Sequence, residues 1–222
     1  KPMKYFIPFI LLLYGSIHTL HAQQYPLFTN YVINSFGFNP AVAGTTDYVD
    51  MKLTYRAQWV GQNDAPKTQI ISGHGRLANL PLGVGAYAFN DVAGSLGRTG
   101  GTVALSYLQS IGENTLSVGL SGGFYKMRLK QGFTVDDFTD PLVMSSDNSI
   151  GTPDISAGLY LSSPKGWYAG LSVPQLLENK LDFIPSNTDN QSRLQRHYYL
   201  MGGYNYKLNE NIVLQPSTLI KY

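Results

Sequence analysis

The chain contains no cysteine, and only 14% of its 222 residues are charged. Without cysteine it can form no disulfide staples and carry no acylated lipoprotein anchor, so an exported chain of this kind must draw its stability from a closed hydrogen-bond network. Net charge is +2 with no basic run, which argues against nucleic acid as a partner. Apolar residues make up 43% of the chain, yet after the first residues they form no run long enough for a transmembrane helix. They are dispersed by alternation instead. The 23 glycines and 16 tyrosines fit strands that bend or pack closely and that end at bilayer interfaces.

Met3-Lys4 followed by the apolar run Tyr5–Tyr14 reads as a secretory signal, too short to span a bilayer as a helix. Lys1 and Pro2 lie before that methionine, and cleavage is expected after Ala22, giving a signal segment over residues 1–22. Residues 23–45 carry loop chemistry in Asn39-Pro40-Ala41-Val42-Ala43-Gly44 and are expected to form a periplasmic segment or a plug in the barrel mouth.

From Thr46 onward the sequence divides into about nine strands of about ten residues, the length that crosses a bilayer when tilted. In Tyr48–Trp59 the odd positions Met51, Leu53 and Tyr55 are apolar, while Lys52, Thr54 and Arg56 between them are polar. Val118, Leu120 and Phe124 alternate with Ser117, Gly119 and Ser121 in the same way. A soluble sandwich also alternates, but its outer face normally carries many charges; here the polar face of the later strands is mostly serine, glycine and threonine. Connections are expected to alternate between tight (Leu77–Pro81, Ile111–Asn114, Ser162–Gly166, Lys207–Asn211) and long (Val60–Pro66, Asn90–Arg98, Lys130–Pro153, Pro174–Leu194). That is the asymmetry between periplasmic turns and outer loops in outer-membrane barrels. The expected fold is therefore an all-β antiparallel transmembrane β-barrel over residues 46–222. Single-chain barrels usually have an even strand number, so an odd count suggests a barrel truncated at its C-terminus.

Little in the chain suggests catalysis. Gly119-Leu120-Ser121-Gly122-Gly123 matches a hydrolase nucleophile elbow, but that motif needs a strand-to-helix turn and here it lies within an alternating strand. Ser121 is better read as a small lumen-facing residue, where arginine is expected to be milder than at lipid-facing Leu120. His74 and His197 have no metal-ligand spacing, and Asp136, Asp137, Asp140 and Asp147 lack the order of a calcium loop. Gly83-Val84-Gly85 precedes no helix and makes no dinucleotide fingerprint. The expectation is a protein that is not an enzyme and needs no cofactor or metal. Arg56 and Gln58 stand out on the polar face of the first strand beside Trp59, where an arginine can grip a carboxylate or brace the wall. Leu27 and Phe28 belong to no strand and must pack in the barrel mouth or against a partner, since burying each contributes about 1.5–3 kcal/mol.

Several segments together resemble the PorP/SprF family of the type IX secretion system of Bacteroidetes. They are Gln24-Tyr25-Pro26-Leu27-Phe28-Thr29-Asn30-Tyr31 leading to Asn39–Gly44, and Arg56-Ala57-Gln58-Trp59-Val60-Gly61 followed by Ala65-Pro66-Lys67-Thr68. Asp91–Gly94, Gly170–Leu177 and Gln215-Pro216-Ser217 are further matches. The resemblance implies a bacterial outer-membrane barrel that serves secretion or gliding machinery. The implied partners are outer-membrane lipid, exported adhesin-type cargo with a C-terminal sorting domain, and periplasmic motor components. Candidate partner-binding residues are Pro26, Leu27, Phe28, Asn30, Tyr31, Asn39, Pro40, Arg56, Gln58 and Trp59. The alternative is a transport barrel for a small solute.

Overall fold

A computed structural model describes residues 31–129, 149–179, 194–210 and 212–222. The signal segment, Pro26 to Asn30 and the aspartate-bearing loop residues 136–147 lie outside the described residues. Among the described residues nine strands form one curled antiparallel sheet, a half-barrel, in the order β1-β2-β3-β4-β5-β6-β7-β8-β11. They are β1 Asp50–Ala57, β2 Lys67–Arg76, β3 Leu82–Ala93, β4 Leu96–Ile111, β5 Asn114–Leu129, β6 Ser149–Ser162, β7 Trp167–Val173, β8 Tyr199–Tyr204 and β11 Ser217–Lys221. Between β8 and β11, β9 (Tyr206–Lys207) and β10 (Val213–Leu214) pair as a small hairpin of their own. Each strand of the sheet pairs with the next sheet strand along the chain, β8 with β11 across the intervening hairpin, so the wall is an antiparallel meander.

The period of two in the sequence becomes two unlike faces. Met51, Leu53 and Tyr55 of β1 and Val118, Leu120 and Phe124 of β5 are exposed on the convex side, Leu53 by 81% and Leu120 by 60%. Their neighbours Ser117, Gly119 and Ser121 are buried on the concave side. A soluble protein would not leave such a continuous apolar face in water; a membrane wall turns it to lipid.

Three expectations about connections need correcting. Asn90–Arg98 is not a long loop: β3 runs to Ala93, β4 starts at Leu96, and Gly94 turns the chain with φ +61°. The charges that read as loop are strand residues, and the Asp91 carboxylate finds its partners across the sheet. Asp91 accepts from Thr68 Oγ1 at 2.6 Å and from Arg98 Nη1 at 3.4 Å. The turn expected at Lys207–Asn211 is instead the end of a longer hairpin, with Leu208 N donating to Ile212 O at 3.0 Å. Pro153, expected in a loop, lies inside β6 opposite Phe124.

The concave face is not empty. Residues 34–44 run across it in two short 3-10 turns, Ser35–Gly37 and Pro40–Val42. Phe36, Val42 and Ala43 pack into an apolar cluster with Ile70, Tyr87, Phe89 and Tyr125 of the wall. Phe38 joins Tyr199 and Met201 in a second cluster.

Candidate functional site

The most ordered chemistry in the molecule is the seat that holds residues 34–44. Asn39 is fully buried, and its side chain works in both directions. Nδ2 donates to Leu159 O at 2.9 Å and to Leu171 O at 3.4 Å, bridging β6 and β7. Oδ1 accepts from Ala41 N at 2.9 Å and so caps the turn that Pro40 opens. Wall hydroxyls take the carbonyls on either side: Ser172 Oγ donates to Phe38 O and Ser106 Oγ to Ala43 O, both at 2.6 Å. Asn34 Nδ2 donates to Ser72 Oγ at 2.9 Å. A loop can lie buried only if its main-chain polar groups find partners, and these side chains supply several of them.

Glycine makes the approach possible. A methyl on Gly119 would overlap the backbone nitrogen of Ala41, and one on Gly158 would overlap Asn39 Oδ1. A methyl on Gly83 would press as hard on Ala43 O, and one on Gly170 would crowd Asn39 Nδ2 less tightly, at 2.9 Å. Strand glycines usually mark bends or close approaches, and these mark where a second chain segment lies flat on the sheet. Gly119 is nearer the tight-turn end of β5 than its far end, so the seat fills the tight-turn half of the concavity.

Above the seat, toward the long connections, is a cavity of about 40 Å3 bordered by Phe38, Pro40, Tyr87, Ser121, Ser156 and Tyr199. Ser121 faces the interior as expected, but it is only 9% exposed. The roomy polar lumen that would make arginine mild there is not what surrounds it. The Gly-x-Ser-x-Gly segment lies wholly within β5. Among the described residues, no group of three or more histidine, aspartate or glutamate side chains could hold a metal ion.

The structure separates the partner-binding candidates. Asn39 and Pro40 are buried in the seat. Tyr31 lies near its entry, edge-on to Phe38 with ring centroids 6.5 Å apart and its hydroxyl 3.4 Å from Ser217 Oγ. Arg56, Gln58 and Trp59 sit at the opposite end of the wall, where β1 leads into the Val60–Pro66 connection. Arg56 pairs in register with Thr68, whereas the seated segment leaves past Arg76, whose Nε donates to Gly44 O at 3.3 Å. With the Gln58 amide turned so that its oxygen faces the guanidinium, Arg56 donates to it from Nη2 at 2.7 Å and from Nε at 3.1 Å. Trp59 is 68% exposed and holds φ +49° where the chain turns out of β1. Sequence reasoning found Asn39 but missed the glycines and the serines Ser106 and Ser172 that seat it.

A curled antiparallel sheet with a continuous apolar outer face and a polar, glycine-lined inner one defines an outer-membrane β-barrel protein. The chain belongs to the PorP/SprF family of type IX secretion system membrane proteins, whose family model matches residues 20–222. No curated protein and no solved structure shows a significant match to it.

Proposed function

We propose that this type IX secretion protein catalyses no reaction and assists the export or surface attachment of large adhesin-type cargo carrying a C-terminal sorting domain. The observation that carries this reading is the seated segment. Residues 34–44 occupy the tight-turn half of the interior and are held by Asn39, Ser106 and Ser172, which disfavours an open conduit for a small solute. In this reading residues 34–44 act as an internal plug that is part of the folded wall. Contacts with other proteins then fall to the two ends. Arg56, Gln58 and Trp59 face exported cargo on the long-loop side, where an exposed indole beside a guanidinium suits an aromatic or acidic partner. On the tight-turn side Tyr31 lies near the entry to the seat, and together with Pro26, Leu27, Phe28 and Asn30, which precede it in sequence, it meets periplasmic components of the secretion or gliding machinery.

The test is the double substitution Arg56→Ala with Trp59→Ala in cells. Heat-modifiable migration should stay normal, showing an assembled wall, while cargo on the cell surface falls several-fold. Unchanged display with normal assembly would remove this corner from the mechanism.

A further inference from the structure

The β9–β10 hairpin carries an apolar face that nothing in the described chain covers. Tyr206 is 52% exposed, Leu208 58%, Ile212 52% and Leu214 55%. The register Leu214↔Tyr206, with Leu208 bonded to Ile212, puts all four on one side, and Lys207 and Val213 on the other. The apolar side continues the convex face of the wall: the Tyr204 and Tyr206 rings lie 6.3 Å apart, in line with exposed Leu200 and Ile220.

We propose that this hairpin does not stand free in the periplasm but is seated in the inner leaflet, with its Tyr206–Leu208–Ile212–Leu214 face against lipid. The inference rests on the outer-membrane location of the family. Length supports it first. At one end of the column the Tyr198 and Tyr222 rings meet at 6.4 Å, joined by Tyr198 N donating to Tyr222 O at 2.7 Å. From Tyr198 to Tyr204 the strand covers about 20 Å, or about 15 Å across a bilayer at barrel tilt, too little for an apolar band about 25 Å tall. Extended from Tyr198 to Leu208 through the break at Asn205, the chain reaches at most about 33 Å, or about 25 Å across the bilayer, which matches the band. The hairpin supplies the missing height.

Stagger supports it second. Strands in a barrel tilt, so the turns along one rim are staggered overall, although the second and third tight turns are level, with Thr115 opposite Ser162. Leu82 pairs with Tyr107, and β4 runs on to Ile111 beyond the first tight turn. Trp167 pairs with Tyr204, and the hairpin runs on in the same direction beyond the turn at Ser163–Gly166. A projection that looks free when the sheet is viewed flat stays level with the membrane once the sheet tilts.

The absence of cysteine makes the test direct. Single cysteines replacing Leu208, Ile212, Lys207, Leu120 and Glu113 are labelled with bimane, and the assembled proteins are placed in vesicles of phosphatidylcholine brominated on its acyl chains. Quenching at Leu208→Cys and Ile212→Cys should come within about twofold of Leu120→Cys, with Lys207→Cys quenched less. Quenching at both hairpin sites no greater than at Glu113→Cys, in an exposed turn, would overturn the proposal and leave the face to a protein partner. If a hairpin cysteine variant fails to assemble, Tyr206→Trp in a Trp59→Phe, Trp167→Phe background gives the same readout, and an unquenched, red-shifted indole there would overturn the proposal equally.

Discussion

Replacing Gly119 with alanine adds one methyl to a membrane strand, yet it should unseat a segment far away in sequence. The added carbon would overlap Ala41 N and lie 2.5 Å from both Ala41 Cα and Pro40 C. All three are backbone atoms, so no side-chain rotation relieves the contact. Ordinary carbon contacts are about 3.5–4.0 Å, so the Pro40–Ala41 backbone must retreat by about 1 Å. Asn39 is its neighbour, and the same retreat would stretch the 2.9 Å bond to Leu159 O beyond hydrogen-bond range. Overpacking of this kind costs about 1–3 kcal/mol, and a buried amide left without its acceptor costs about 1–3 kcal/mol more. Because the two losses share one displacement, the expected total is about 2–4 kcal/mol. Gly122 in the same strand is the control: it points outward, and a methyl there meets nothing within 4 Å. Gly122→Ala should change stability by no more than about 0.5 kcal/mol in either direction. Urea unfolding of both variants in lipid vesicles measures the difference. Equal losses, or a larger loss for Gly122→Ala, would refute the glycine seat.

Asn39→Asp should destabilise more than Asn39→Ala at neutral pH, because a buried carboxylate cannot donate to Leu159 O or Leu171 O and repels both; urea midpoints in reverse order would contradict the hydrogen-bond assignment. Leu120→Arg should cost about 2–4 kcal/mol if Leu120 lies near the bilayer midplane, and Leu120→Phe should be tolerated. Ser121→Arg should also fail, since its space is taken by the seated segment, but Ser121→Ala should stay close to wild type in the same assay. For orientation, a cysteine replacing Asn63 should react with an impermeant maleimide on intact cells, whereas one replacing Glu113 should react only after the outer membrane is opened. The opposite pattern would invert the topology.

Much of the wall was legible because lipid imposes a simple rule on each strand. Leu53 and Leu120 had to alternate with Thr54 and Ser121, whatever their partners. Interior detail was not legible, because Gly119 and Gly122 look alike in sequence and differ only in which face they occupy and what crosses that face. The serines were equally silent: a strand hydroxyl facing a lumen reads as polar lining until a carbonyl such as Phe38 O lies beside it. Asp91 and Arg98 misled for the opposite reason. Charges near glycine imply a loop, yet Thr68 two strands from Arg98 satisfies the aspartate and lets both strands continue. Asn39 was visible as loop chemistry, and its burial was not, because nothing local records that Gly158 and Gly170 leave room for it.

The central claim is that this outer-membrane wall serves protein export rather than solute passage. Its most direct test measures surface-exposed cargo bearing a C-terminal sorting domain in cells lacking the protein and in cells with it restored. The account predicts that cargo at the surface drops several-fold in the deletion and returns with the wild-type chain, while the purified protein adds no small-solute flux to liposomes. Normal surface cargo in the deletion, together with solute flux through the purified protein, would contradict it.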